Sequence, residues 1–455
     1  MSLCEQGLDT KVRDVSITIH VSASESLPTL ANALDWVMLA TLVMPDLKKT
    51  ARGFWHVGRR LWLRSHLAVM ILQSLRKETD RGIEVRINET PVLQAFCGYG
   101  ILPNWKCPDH TKVEEFRNRL SDETHKAVAD YVVQLAQKLG FADASWMDID
   151  STVQQANIAY PSDATLMKKL SEKVHRVIEF IKGKTEIVVG DLTVGIEGIR
   201  KLAHGYFFMA KNTAIEKRRE AFAKYHETVT QQLTPVMSYL ATLGEKTQAA
   251  LPWNIRATLN QITTHGSKYL SDVLHFAQTH TMKAGKILSF HAQQVACIKK
   301  GKAGKEHEFG RVFQLGRIGG NFLIVAACNS VRMEDKTSLM PMIAEHRRLF
   351  GKGHLKQAGT DKGYYTAKNV KDVESLGINA DGVQRPCTVK QQLSADVVTP
   401  LRNRRAGIEP LIQHAKLFGL GKSKMKSDAT TLASGYRSVT AFNLHQLHRH
   451  MVKAA

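Results

Sequence analysis

One long helical stretch separates two segments of β character in this chain of 455 residues. In residues 146–153 apolar and polar side chains alternate, which is typical of a strand with one buried face. From about residue 164 to residue 287, apolar residues recur at helical spacing. Strand character then returns. Because structureless loops of ~120 residues are rare inside domains, this order predicts a mixed α/β domain with a large helical insertion after its first strand.

The remaining segments complete the predicted organisation. Helical periodicity in the first part of the chain predicts helices interrupted at residues such as Pro45. Residues 309–329 predict a hairpin around Gly319-Gly320, followed by a helix, a strand, a helix, a strand and a last helical region from about Arg402. The predicted boundaries are 1–140 for an N-terminal helical domain, 141–163 with 287–455 for the α/β domain, and 164–286 for the insertion.

Positive charge is concentrated in the last part of the chain. The sequence has 63 Lys and Arg against 42 Asp and Glu, a net charge of +21. Residues 281–455 hold 29 basic and 12 acidic side chains, whereas residues 1–280 hold 34 and 30. Because each neutralised phosphate releases condensed counterions, this distribution predicts that the C-terminal part contacts a nucleic acid. A basic surface kept for solubility, or contact with RNA, is the alternative.

The sequence also indicates the compartment. Six cysteines are scattered without a CxxC pair, which is typical of reduced thiols rather than a disulfide framework. The N-terminus lacks the apolar core of a signal peptide. The apolar run at residues 36–44 is too short to cross a bilayer. We therefore expect a soluble cytoplasmic protein with no membrane partner.

Two aspartates are candidate catalytic residues, and Asp361 stands out because acidic residues are scarce in residues 281–455. Asp361 directly follows a predicted strand and precedes a glycine, at the position where α/β sheets place catalytic groups. The alternative is an aspartate that caps the next turn. Asp150 lies on the polar face of the first strand, where an aspartate is usually only solvated.

The spacing around Glu409 is more informative. Arg405 lies four residues before Glu409 and Lys416 seven residues after it, so all three share one face of a helix. A surface ion pair would explain Arg405 and Glu409, but it leaves Lys416 unexplained. Pro410 removes a backbone donor, which predicts that the helix starts or kinks near Glu409.

These residues resemble the bacterial insertion-sequence DDE transposases. Asp150 lies in Asp-Ser-Thr and Asp361 in Asp-Lys-Gly-Tyr. The family signature around its glutamate reads Tyr, two residues, Arg, three residues, Glu, six residues, Lys. This chain matches the arginine, glutamate and lysine positions with Arg405, Glu409 and Lys416. It departs at the tyrosine position, which is occupied by Arg402.

Two further segments support the resemblance. Residues 107–120 contain Pro-Asp-His-Thr and Phe-Arg and are similar to the helical domain that precedes the catalytic domain in this family. Residues 302–315, which include Glu-Phe-Gly, are similar to the second-strand segment. The resembling motifs therefore span residues 107–416 in the expected order.

The resemblance implies a ribonuclease H-like catalytic core and a transposase that cleaves and rejoins DNA. It implies that Asp150, Asp361 and Glu409 are catalytic and hold two Mg²⁺ (or Mn²⁺) ions, with Asp150 bridging both. The partners implied are terminal inverted repeats, target DNA and a second copy in a homodimeric synaptic complex, in the nucleoid of a bacterial cytoplasm. The side chains predicted to contact DNA are Arg405, Lys416, Arg402, Lys422 and Lys424.

Two alternatives to a transposase remain open at this stage. The first is a nuclease on the same fold that cuts and never joins. The second is an inactive or domesticated transposase derivative that only binds DNA.

Trp253 is predicted to be a core residue, with stacking on an extruded base as the alternative. The histidines at positions 445, 448 and 450 share no single helical face and are expected at the surface.

Overall fold

The computed structural model describes residues 10–12, 15–17, 27–48, 57–98, 106–158, 162–210, 212–279, 281, 283, 285–292, 294–302, 305–326, 334–389, 393–425 and 427–454. The chain divides into two compact units. Unit 1 comprises Met1–Asn157 and Ile298–Ala455, and unit 2 comprises Ile158–Cys297. The predicted mixed α/β class is confirmed, since the structure is mostly helical and contains one six-stranded mixed sheet.

The N-terminal part of unit 1 is helical, as the periodicity predicts. A short hairpin of β1 (Thr10–Val12) and β2 (Val15–Ile17) comes first. The helices that follow are α1 (Leu27–Ala33), α2 (Trp36–Lys48), α3 (Val57–Arg76), α4 (Asp80–Glu89), α5 (Pro91–Phe96), α6 (His110–Arg119) and α7 (Asp122–Lys138). Thr79, Asp109 and Ser121 accept hydrogen bonds from backbone amides at the starts of α4, α6 and α7. The break predicted at Pro45 is wrong, because this proline lies inside α2.

Six strands form the sheet. They are β3 (Trp146–Gln155), β4 (Ala296–Lys302), β5 (Lys305–Ile318), β6 (Phe322–Ala326), β7 (Gln357–Thr360) and β8 (Asn379–Val383). β3 lies between β5, which runs antiparallel to it, and β7, which runs parallel to it. β6 pairs antiparallel with β5 and β8 pairs parallel with β7. The first predicted strand is therefore central in the sheet, and strands that come later in the chain lie on both sides of it.

The predicted hairpin after residue 309 is confirmed. A 3₁₀ turn at Gly319–Asn321 joins β5 to β6, and Gly320 has φ +76°, a conformation that favours glycine. The later helices are α13 (Asp335–Phe350), α14 (Ala367–Ser375), α15 (Ala395–Ala406), α16 (Ile408–Ala415) and α17 (Asp428–Ala454), with a π turn at Lys416–Leu420. The last helical region thus begins at Ala395, earlier than the predicted start near Arg402.

Helix α17 packs against the sheet and the N-terminal helices. Tyr436 and Phe442 are buried with Phe313 of β5 in a shared core. Near the C-terminus, His450 stacks between Phe141 and Phe322, and its Nε2 lies 2.8 Å from the carbonyl of Gly320. The surface position expected for His450 is therefore wrong. The ring has a structural partner on each side.

Unit 2 is an all-helical body with its own core. Its helices are α8 (Asp163–Lys184), α9 (Ile196–Phe207), α10 (Ile215–Ala241), α11 (Glu245–Ala250) and α12 (Trp253–Thr279). Tyr225 and Tyr269 are fully buried, and the hydroxyl of Tyr269 donates to the carbonyl of Asp163 at 2.8 Å. Trp253 begins α12 and is 76% exposed, so its predicted place in the core is wrong. An apolar position at a helix start carries no periodic signal to separate the two cases.

Of the described helices, none alone has the length and apolar composition to cross a membrane. The residues of α1 together with Trp36–Leu47 meet that criterion as a pair bent by 68°.

Candidate active site

Two neighbouring parallel strands place Asp150 beside Asp361. Ile149 of β3 is the register partner of Thr360 at the end of β7. Asp150 directly follows Ile149, and Asp361 directly follows Thr360. The chain then turns into a 3₁₀ helix at Lys362–Tyr364, where Oδ1 of Asp361 accepts a hydrogen bond from the Gly363 amide at 2.9 Å. Asp361 thus caps this turn with one oxygen and keeps the other for the site.

A break between two helices places Arg405 and Glu409. Helix α15 ends at Ala406, and α16 starts at Ile408 after Gly407. Arg405 is therefore in the last turn of one helix and Glu409 in the first turn of the next. The start or kink predicted near Glu409 is confirmed.

The guanidinium of Arg405 lies among the three predicted catalytic acids. Its Nη2 is 2.8 Å from Oδ2 of Asp150 and 3.8 Å from Oδ2 of Asp361. Its Nη1 is 3.3 Å from Oε1 of Glu409. The side chain of Arg405 is only 12% exposed, whereas that of Glu409 is 64% exposed. Three carboxylates from a strand, a turn and a helix therefore converge on one cation of the protein itself.

Burial disfavours the charged form of two of these carboxylates. It raises the pKa of Asp150 above the usual range, and Arg405 only partly opposes the rise. Burial also raises the pKa of Asp361, against the hydrogen bond from Gly363 and the charge of Arg405. The charges of Asp335 and Glu409 raise the pKa of Asp361 further. Carboxylates in this condition gain from an additional cation.

The donor set suits hard divalent cations. Carboxylate oxygens are the ligands that Mg²⁺ and Mn²⁺ prefer in proteins. In the part of the chain that the structure describes, Asp150, Asp361 and Glu409 do not form a set with ligand atoms within 4.8 Å of one another. Arg405 stands between them, so the acids could hold metal only after its guanidinium withdraws.

Another group in the described residues does meet this distance criterion, and it consists of Glu84, Asp109 and His110. Its histidine already has partners on both ring nitrogens. Nδ1 of His110 lies 2.9 Å from Oε2 of Glu84, and Nε2 accepts from Nε of Arg81 at 3.3 Å. These bonds join α4 to α6, and we interpret the group as structural.

A second arginine, adjacent to the first, fixes helix α15 to the sheet. Arg404 donates from Nη2 to Oδ1 of Asp148 at 2.9 Å and lies 4.6 Å from the centre of the Trp146 ring. Asp148 is fully buried. A Cβ at Gly359 would lie 2.4 Å from its Oδ1, so β7 approaches this closely only with glycine there. Asp148 lies two residues before Asp150 on β3, and nothing in the local sequence indicates that Arg404 is its partner.

Asp335 is a fourth carboxylate at the site, and the sequence analysis missed it. It begins α13, and its Oδ1 accepts from Nε2 of the buried Gln314 at 3.3 Å. The hydroxyl of Tyr364 donates to Oε1 of Gln314 at 2.6 Å, which fixes the amide with its Nε2 toward Asp335. The charge of Asp335 raises the pKa of Asp150 and of Asp361. An acid at a helix start is common, which is why its spacing gave no signal.

The predicted DNA-contacting residues fall in different places. Lys416 begins the π turn, and Lys422 and Lys424 follow it; all three line one groove. This segment is held to the end of β3, since Gln155 donates its amide to Gly421 and accepts from the Ser423 amide. Arg402 is exposed on α15, outside that groove, and Arg405 is in the acid cluster.

Comparison with protein families gives a match in the N-terminal part of unit 1. Residues 15–119 match the family described as Transposase domain (DUF772). This match supports a transposase. It includes most of the segment 107–120, which resembles the helical domain of insertion-sequence transposases, and it ends before the acid cluster. A transposase binds DNA, in keeping with the basic C-terminal part. No curated protein and no solved structure matches the chain.

Proposed function

We propose that this chain is a DDE-type transposase that cleaves DNA at the ends of an insertion sequence and joins the freed 3′-hydroxyl to target DNA. Asp150, Asp361 and Glu409 are the catalytic acids. The observation that carries this proposal is their convergence on the guanidinium of Arg405. A ribonuclease H-like core is part of the proposal, supported by the central position of β3 and its parallel partner β7.

The acids would hold two Mg²⁺ or Mn²⁺ ions in place of the arginine. Such ions supply an activated oxygen nucleophile and neutralise charge at the phosphate when they are bound. The chain's own residues supply the orientation. Gly363 fixes one oxygen of Asp361, and the pairing of β3 with β7 fixes the spacing of the two aspartates. Arg404, bound to Asp148, holds the helix that carries Arg405.

The basic residues would position the DNA backbone. Once displaced from the acids, Arg405 is one turn from Glu409 and can pair with a phosphate beside the reacting bond. Arg402, Lys416, Lys422 and Lys424 would contact phosphates further along the strand, where they position DNA without reading its sequence. Two element ends must meet before transfer, so the proposed active form is a homodimer.

The decisive variant is Asp361→Asn, which removes charge while keeping the side-chain shape and the hydrogen bond from Gly363. DNA duplexes from either side of the gene serve as substrates. We expect binding in EDTA to stay within about twofold of the wild type, while Mg²⁺-dependent cleavage falls by at least about 10³-fold, the order of loss found when one transition-state contact is removed. Glu374→Gln, an exposed carboxylate on α14, is the matched control and should cleave normally.

Equal loss of binding and cleavage in Asp361→Asn would make this aspartate structural and overturn the proposal. A plasmid target in the same reaction tests joining. Cleavage without strand-transfer products would identify a nuclease instead, and binding without cleavage by the wild type would identify an inactive derivative.

A further inference from the structure

A groove of about 800 Å³ lies within unit 1, and none of Asp150, Asp361 and Glu409 lines it. One wall is formed by the end of α3 and the start of α4. The other is formed by the π turn and the first half of α17. Among the described residues that line it, six are basic and three are acidic. The basic ones are Lys77, Arg117, Lys416, Lys422, Lys424 and Arg437.

Two of the three acids that line this groove already have a basic partner. Asp80 is bound by Arg117, with Nη2 and Oδ2 at 3.1 Å. Glu78 is 2.8 Å from Nη1 of Arg86, outside the groove. The positive charges at Arg437 and at the lysines of the opposite wall are therefore not cancelled by these two carboxylates.

Arg437 lines the groove and has no ion-pair partner among the described residues. Its Nη1 is 3.4 Å from Nε2 of His125, a ring whose pKa burial lowers to about 3 and which is therefore neutral. The charge of Asp80, which Arg117 binds, only partly opposes the effect of burial on the pKa of Arg437. Burial lowers the pKa of Arg437 to about 9, with Arg117 adding to the effect, so the side chain is still cationic at neutral pH. The side chain of Arg437 is half-buried, and a cation that is partly removed from water without an ion-pair partner is stabilised when an anion joins it.

The rim presents a second unusual feature. Lys77 has φ +60° at the end of α3, a left-handed conformation where glycine is favoured. This conformation sets Nζ of Lys77 4.5 Å from the centre of the Phe418 ring, across the groove. The amide of Glu78 donates to the carbonyl of Gln73, so Lys77 holds the left-handed position that ends α3.

The wall formed by α17 leaves the space open. Ser434 and Ser438 are small and donate their hydroxyls to carbonyls of their own helix, so they neither fill the groove nor need a ligand themselves. The start of α17 also borders the groove at Ser427 and Thr430, where a helix N-terminus favours negative charge.

We propose that this groove binds a backbone phosphate of DNA, with Arg437 contacting it at the floor and Lys77 and Lys422 closing over it from the two rims. The proposal rests on the proposed function in naming DNA as the source of the phosphate. It adds a site formed jointly by the N-terminal helices and the C-terminal helix, at a distance from the cleavage chemistry.

The test measures binding of a fluorescein-labelled 20-bp duplex by the full chain in EDTA, from 50 to 300 mM salt. We expect Arg437→Gln and Lys77→Gln each to weaken binding roughly tenfold, as for loss of one charge-assisted contact. Each should also lower the slope of log K against log salt by about 0.9, as expected when one phosphate contact is lost. Arg437→Lys should recover part of the loss. Lys371→Gln, an exposed lysine of α14, is the matched control and should change neither.

Unchanged affinity and slope in Lys77→Gln would overturn the proposal. This variant still tests the proposal if Arg437→Gln fails to fold. A second arm uses inorganic phosphate. Thermal stabilisation by phosphate that is lost in Arg437→Gln, with duplex binding unaffected, would assign the groove to a free anion and also overturn it. Because no cleavage is measured, the outcome is independent of Asp361→Asn.

Discussion

Nη2 of Arg405 lies 2.8 Å from Oδ2 of Asp150, and the neighbouring Arg404 binds Asp148 on the same strand. Asp148 and Asp150 share one face of β3, so two consecutive arginines of α15 meet two acids in a row. The first pair is buried and holds the helix to the sheet. The second opens onto Asp361 and Glu409, where the arginine occupies the position proposed for cations.

Replacing Arg405 tests whether it stands in for a cation. Arg405→Ala leaves three converging carboxylates without a positive charge, so we expect a loss of about 2 kcal/mol in EDTA, after allowance for the partial exposure of Asp361 and Glu409. Mg²⁺ should restore most of this stability. The measurement is the melting temperature with EDTA and with 10 mM Mg²⁺, compared with Arg402→Ala on the same helix.

An equal loss of stability in Arg405→Ala with and without Mg²⁺ would show that the guanidinium is a structural partner of Asp150 alone. In that case the acids would not take up metal when the arginine is absent.

The Asp148 and Arg404 pair should carry stability rather than chemistry. Asp148→Asn leaves the guanidinium of Arg404, which is 22% exposed, beside a neutral buried amide, and breaking such a pair costs about 3 kcal/mol. Urea unfolding measures this loss, with the exposed Glu374→Gln as control. Mg²⁺ binding by the folded variant should be unchanged, whereas a lost or weakened metal response would place Asp148 among the ligands.

Asp335 should tune the affinity of the site for metal. Its charge acts on Asp150 and Asp361, and its orientation is fixed by Gln314. For Asp335→Asn we expect the Mn²⁺ concentration at half-saturation, followed by electron paramagnetic resonance, to rise roughly tenfold, the effect typical of groups that support metal ligands. The exposed neighbour Glu334 provides the control, as Glu334→Gln. Identical titrations for both variants would exclude Asp335 from the site.

Much of the fold follows from local pattern. Alternation in residues 146–153 predicted β3, and the paired glycines predicted the turn between β5 and β6, because both depend on neighbours along the chain. The local pattern predicts too late a start for α15, and it predicts a break at Pro45 although α2 continues past this residue. Pro45 removes one backbone donor close to the C-terminal end of α2, and whether the helix continues past it depends on packing that the local sequence does not contain.

The active site, like the fold, follows only in part from the local sequence. Spacing alone put Arg405, Glu409 and Lys416 on one helical face, but it could not foresee that Arg405 turns to the acids while Lys416 lines the groove. That difference arises at Gly407 and at the π turn, where the helical repeat is interrupted. Asp335 was hard to select because its orientation at the site comes from Gln314, a residue 21 positions away on another element.

Buried His346 gives a prediction about acid stability. Its ring is fully buried, and Nε2 donates to the carbonyl of Ala144 at 2.9 Å. Burial lowers the pKa of His346 from 6.5 to about 4. As pH falls below about 6.5 the unfolded chain gains a proton that the folded chain refuses until about pH 4. The free energy of unfolding should therefore decrease across this window, by about 3 kcal/mol from this residue, and level off below it.

His346→Gln keeps a donor for Ala144 but does not titrate. Urea unfolding at pH 7.5, 6, 5 and 4 should show a shallower decline in this variant than in the wild type or in the exposed control His204→Gln. Some decline remains because burial also lowers the pKa of His125, to about 3. Parallel curves for His346→Gln and the wild type would mean that the folded protein protonates His346 as readily as the unfolded chain does.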